Sequence, residues 1–145
     1  MQLTRRAEYS IRTAVYLATQ PFGKLVLSKE VAKRQDIPAN FMVHVVGDLV
    51  RAGIVRATRG IGGGLTLARP AGEITIRQIV EASEGPIALN KCLLGHEACE
   101  RRSGCAVANV WERAQAGMVE VLEATTLEGL ARTAAGGTRQ RRSTG

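Results

Sequence analysis

Three cysteines, Cys92, Cys99 and Cys105, fall within fourteen residues of this 145-residue chain, which has no others. The residues between them, Leu93-Leu-Gly-His-Glu-Ala98 and Glu100-Arg-Arg-Ser-Gly104, are polar, charged and glycine-containing. A buried structural cysteine usually sits in a helix or strand among apolar neighbours, whereas a polar loop lets thiolates converge on one point. An odd count argues against a closed disulfide set and leaves metal ligation or redox chemistry. Three soft sulfur ligands favour an iron–sulfur cluster or zinc over magnesium or calcium. The spacing, six then five intervening residues, is not the short paired pattern of zinc ribbons or fingers. His96 keeps zinc open, because it would complete a set of three cysteines and one histidine. Three plain thiols in a loop are the third reading.

The elements around this loop decide what it could act on. Leu3 to Thr19 reads as a helix, with Thr4 as N-cap and Ala7, Ile11, Ala14, Val15 and Ala18 as its stripe. Glu8 and Arg12, four apart, suit a surface ion pair. Ser28 is expected to cap a short helix over Lys29–Gln35. A turn through Asp36-Ile-Pro-Ala39 leads to a longer helix from Asn40 to Ala52, stopped by Gly53. Its apolar positions are Phe41, Val45, Val46, Leu49 and Val50. Two helices joined by a tight turn form a helix-turn-helix, with Asn40, Val43 and His44 on the second helix. Two short strands follow, Ile54–Thr58 and Leu65–Ala68, around the loop Arg59-Gly-Ile-Gly-Gly-Gly64. That hairpin completes a winged helix whose wing would track phosphates or enter the minor groove, with Arg59 as the inserted cation. The glycine run is not a nucleotide cradle, because no Gly-Lys-Ser/Thr follows and it leads into a strand.

Thr75-Ile-Arg-Gln78 is a capping-box pattern opening a helix to Glu84. Past the cysteines, a long helix over 106–125 carries Val107, Val110, Trp111, Ala114, Met118, Val121 and Leu122. So broad a stripe suits a dimer seam, the alternative being packing on its own domain. Thr126 would cap a last helix to Ala134, before a basic tail expected to be disordered. The expected fold is therefore mainly α with a small β-hairpin. It divides into a winged helix-turn-helix DNA-binding domain (1–84), a cysteine loop (85–105), a dimerisation helix with a short terminal helix (106–134) and the tail (135–145).

Charge agrees with a DNA reader. The net charge is +7, and residues 1–82 hold twelve Lys or Arg against six Asp or Glu, which suits a polyanion. Ser28, Lys29, Arg51, Arg56, Arg59 and Gly60 are the candidates for phosphate or groove contact. Val43 could touch a thymine methyl and Asn40 could bond an adenine. No stretch approaches the ~20 apolar residues of a membrane span, and the first residues lack a secretory signal's apolar core. With clustered unpaired cysteines, the reducing cytoplasm is the expected compartment. No constellation of Ser, His and Asp or of paired carboxylates supports an enzyme or a small-molecule substrate. An electron-transfer iron–sulfur protein is the reading from another class.

Together these residues resemble a known family. Met1-Gln-Leu-Thr4, Ala7-Glu-Tyr9, Gly53-Ile-Val55, Arg59-Gly60, Gly62-Gly-Gly-Leu65, Leu67-Ala-Arg-Pro70 and Glu73-Ile-Thr75 resemble the winged-helix iron–sulfur transcription regulators typified by IscR, NsrR and RirA. The cysteine triplet followed by Val110-Trp111 extends the likeness over about residues 1–134. The resemblance implies a dimeric bacterial transcription regulator that senses iron–sulfur status, iron, nitric oxide or redox stress. Each subunit would hold a 2Fe–2S or 4Fe–4S cluster, labile in air, on Cys92, Cys99 and Cys105. The histidine that IscR carries three residues after its last cysteine is Ala108 here. Glu8 stands where NsrR has an acidic ligand reaching across the dimer. It is the first candidate for fourth ligand, then His96, then a small exogenous ligand. On the reading helix Val43 and His44 replace the glutamate and glutamine of IscR, so its operator does not transfer.

Overall fold

The computed structural model describes residues 2–95 and 100–142, with backbone alone for Lys91, Arg102 and 137–142. Among the described residues, six α-helices and one two-stranded antiparallel hairpin follow the expected order. Helix α1 (Arg5–Ala18) begins at Thr4, whose hydroxyl accepts from the Ala7 N–H at 3.2 Å. Its inward face is Ala7, Tyr9, Ser10, Thr13, Ala14 and Leu17. Ile11, Val15 and Ala18, expected on that face, are half-buried at its margin.

Helices α2 (Ser28–Gln35) and α3 (Ala39–Arg51) form the helix-turn-helix. Ser28 does not cap α2: it is the first helical residue, and Leu27, with extended backbone, holds the cap position. The cause lies one residue earlier. Val26 exchanges backbone hydrogen bonds with Leu65 at 2.9 and 2.7 Å, so the chain leaves an extended bridge and turns helical at once. Asp36, with φ 52°, ends α2, a left-handed conformation that Asp tolerates better than most residues. Helix α3 ends before Gly53, whose φ of 71° suits glycine.

Strands β1 (Val55–Thr58) and β2 (Gly64–Leu67) pair with Val55 opposite Leu67 and Thr58 opposite Gly64. The capping box of helix α4 (Ile76–Glu84) is complete: the Thr75 hydroxyl accepts from Gln78 N–H, and Gln78 accepts from Thr75 N–H. Helix α5 (Ala108–Ala124) packs on α4, and helix α6 (Leu127–Arg142) packs on α1.

One apolar core joins all of this. Val31, Val45, Leu49, Ile54, Ile74, Ile79 and Leu127 are wholly buried. Leu127 belongs to α6, so the terminal helix contributes to the same core as α1–α4. Its backbone seals the join: Leu127 N–H donates to the Ile74 carbonyl at 2.9 Å and Ile76 N–H to the Thr125 carbonyl at 3.0 Å. The backbone of α6 continues to Arg142, past Ala134 where a disordered tail was expected. No proline interrupts this stretch, and glycine weakens a helix by only about 1 kcal/mol per residue.

Candidate DNA interface and cysteine loop

Helix α3 has two faces of different chemistry. Met42, Val45, Asp48 and Leu49 point inward, while Asn40, Val43 and His44 are exposed. Val50, expected inside, is 40% exposed. Between α2 and α3 lies an open cleft of about 320 Å³ whose lining includes Ser28, Lys29, Met42, Val43 and Val46. Its lining is mostly apolar, with Ser28 and Lys29 as its polar members. Neither helix has a side-chain hydrogen bond at its N-cap, unlike α1 and α4.

The wing brings Arg56, Arg59 and Gly60 to the surface beside this pair. All of the cations proposed from sequence are thus exposed, though Arg51 has a prior engagement. Asp48, only 2% exposed, accepts from Arg6 Nε and Nη2 and from Arg51 Nη2, each at 2.5 Å. Hydrogen bonding to Asp48 raises the Arg6 guanidinium above its already high ordinary pKa, so it stays charged. This three-membered clamp locks α1 to α3 behind the exposed face. Sequence reasoning missed it. The Asp48–Arg51 spacing of three was a visible signal, but Arg6 lies forty-two residues away from Asp48.

Glu8 also sits in a network. Its carboxylate accepts from Arg12 Nη2 at 2.7 Å, as the spacing suggested. Arg12 Nη1 in turn donates to the Gln35 carbonyl at the end of α2 at 3.3 Å. The same guanidinium lies 5.5 Å from the centre of the Tyr9 ring, which meets Phe41 of α3 edge-on at 5.1 Å. Glu8 therefore connects through Arg12 and Tyr9 to both helices of the reader.

Both described cysteines lie outside the core. Cys92 is half-buried in a single 3-10 turn, Lys91–Leu93, and Cys105 is exposed just after a second, Arg102–Gly104. Leu89 N–H donates to Gln115 Oε1 at 2.9 Å, tethering the start of the loop to α5. Cys99 and His96 lie outside the described residues. Among the described residues, no three His, Cys, Asp or Glu side chains gather at one point.

Helix α5 buries none of its residues fully. Met118 and Leu122 turn toward the α4 side, while Val107, Val110, Trp111 and Val121 stay exposed. Among the described residues, no helix is long and apolar enough to cross a membrane.

A helix-turn-helix, a glycine-tipped wing and a terminal helix returned to the core form an architecture shared by known proteins. The model of the Rrf2 family, iron-dependent transcriptional regulators, matches residues 3–133. The chain belongs to the Rrf2 family. A helix-turn-helix-type regulator assigned in Mycobacterium tuberculosis is 35% identical over 131 residues, spanning 90% of this chain and 81% of that protein. Among solved structures, the global cysteine regulator CymR of B. subtilis aligns with a TM-score of 0.76 at 27% identity. That alignment covers 92% of this chain and 98% of CymR. IscR of T. potens aligns with a TM-score of 0.74 at 25% identity, covering 92% and 88%. This Rrf2 chain is a transcriptional regulator with a winged-helix DNA-binding fold.

Proposed function

We propose that this Rrf2 protein is a dimeric regulator whose DNA binding responds to iron–sulfur supply, iron, nitric oxide or redox stress through a labile iron–sulfur cluster. The observation that carries the reading is the placement of Cys92 and Cys105: both lie outside the core, in a segment whose start is tethered to α5 by Leu89 and Gln115. The donor chemistry fits, since Cys92 and Cys105 are kept out of the apolar interior and thiolates are the usual ligands of such clusters. Cys92, Cys99 and Cys105 would hold it, with Glu8 of the other subunit as fourth ligand, or else His96. When bound, the group supplies a redox- and nitric-oxide-labile centre. The exposed apolar edge of α5 supports the dimer seam, because Val110, Trp111 and Val121 stand uncovered on a single helix, with Val107 just ahead of it.

The chain's own residues give the signal a route to DNA. Glu8 cannot serve Arg12 and a metal equally, and Arg12 holds the end of α2 while stacking over Tyr9. A change in the demand on Glu8 therefore reaches α2 and α3 at their junction with α1. On the DNA side, Ser28 and Lys29 and the uncapped first turn of α2 suit phosphates. Val43 presents methyl groups toward base edges, where a thymine methyl is its natural partner. Arg51, Arg56 and Arg59 add phosphate or groove contacts. The reducing cytoplasm, where the DNA also is, suits such thiols.

A second reading is direct thiol sensing, favoured by the exposure of Cys105 and by the likeness to a cysteine regulator. A structural zinc with His96 is the third. One experiment separates them. Protein purified without air is examined by ultraviolet–visible spectroscopy and assayed for iron, sulfide and zinc. The same sample, before and after cluster removal, then binds a duplex selected from a random-sequence pool. Iron and sulfide with a change of about 5–150-fold in affinity are expected. Stoichiometric zinc, a metal-free protein, or equal affinity of both forms would overturn the switch.

A further inference from the structure

The wing ends in a large aliphatic side chain that packs on nothing. Ile61 is fully exposed, more so than any other large apolar residue described. A lone exposed aliphatic is common, so the argument rests on what holds it there. Gly60 and Gly62 flank it at φ 94° and 78°, conformations open chiefly to glycine. The turn closes with Gly63 N–H donating to the Gly60 carbonyl at 3.0 Å. A Cβ at Gly63 would stand 2.2 Å from the Thr58 carbonyl oxygen, and one at Gly64 would stand 2.8 Å from that of Val26. With Leu65 bonded on both sides to Val26, the hairpin is braced at its base and tight at its tip. It holds Ile61 outward instead of folding it back onto the domain.

Two features of the tip indicate what receives that side chain. Arg59, also exposed, stands two residues before Ile61, and Arg56 follows the same hairpin toward the domain. The glycines on either side add no bulk, so the tip is narrow enough for a groove about 6 Å wide. Minor-groove proteins combine these elements: cations drawn to a narrow groove, and an aliphatic side chain pushed between base steps. We propose that Ile61 is an apolar wedge that enters the minor groove beside Arg59, partly unstacks one base step and bends the DNA. Pyrimidine–purine steps unstack most easily, so the step beneath the wing is TA or CA/TG. The inference rests on the DNA-binding function of the family and is independent of what the cysteines hold.

The test uses the full-length protein and the duplex it selects from a random-sequence pool. Bend angle is read by end-to-end energy transfer, and unstacked thymines by permanganate, for wild type, Ile61→Ser and Ile61→Leu. The wild type is expected to bend the duplex by about 20–90° and to expose a thymine at one step under the wing. Ile61→Ser should lose both effects and bind more weakly, while Ile61→Leu should keep them. Unchanged bend, reactivity and affinity in Ile61→Ser would overturn the wedge and leave DNA binding standing. A wild type that selects no duplex from any preparation would overturn the DNA-reading assignment and the wedge with it.

Discussion

Asp48 is the only charged residue fully buried among those described, and its surroundings explain how it can be. A carboxylate withdrawn from water is costly unless its lone pairs are met. Here three guanidinium hydrogen bonds meet them, two from Arg6 and one from Arg51. The pairing sets the rotation of α3: with Asp48 and Leu49 inward, Val43 and His44 must face out. Asp48→Asn keeps the shape but removes the charge that both arginines answer. It should lower stability by about 2 kcal/mol, less than the ~3–5 of a wholly buried pair, because both arginines retain contact with water. Arg51→Ala, with a side chain 70% exposed, should cost only about 0.5 kcal/mol. Urea denaturation of both variants measures this. A loss of only about 0.5 kcal/mol from each would show that the clamp contributes nothing beyond a surface ion pair.

At the scale of elements, Thr75 does two things at once. Its side chain closes the capping box of α4, and its backbone forms a bridge with Thr126 at the start of α6. Thr75→Ala removes the cap and leaves the bridge. The expected loss is about 1 kcal/mol, seen as a fall in Tm of roughly 2–5 °C. A fall beyond 10 °C would mean that the hydroxyl also holds α6. This cap was legible in sequence because a capping box is a local pattern, as were the Thr4 cap, the Gly53 stop and the glycine-tipped wing. What was not legible depends on partners far along the chain. Val50 belongs to the apolar run of α3 yet lies 40% exposed, since the rotation of that helix is fixed by Arg6 on α1. Ser28 looked like a cap until the bridge between Val26 and Leu65 moved the helix start past it. Leu127 gave no sign that it would enter the reader's core, because its backbone partner is Ile74. Cluster, zinc and plain thiols all stayed open on the type and spacing of the three cysteines, and the proposed ligand from a second subunit leaves no local pattern in one chain.

For the whole molecule, the exposed edge of α5 and the reading face of α3 should act together. One reader engages a short half-site, and a two-fold pair makes the second engagement effectively intramolecular. Leu122 packs against the core from α5, so the exposed Val110 and Val121 can be changed without opening it. A Val110→Asp/Val121→Asp double variant would place two carboxylates in the proposed seam. It should remain helical by circular dichroism and become monomeric by sedimentation. Its affinity for the selected duplex should fall by at least about 100-fold. The phosphate contacts of one subunit would also be lost, so the slope of log affinity against log salt should drop to roughly half. The slope separates this from simple weakening: damage to a single contact lowers affinity but leaves the slope nearly intact. A variant that stays dimeric, or a monomer with wild-type affinity and slope, would remove α5 as the element that pairs the two readers.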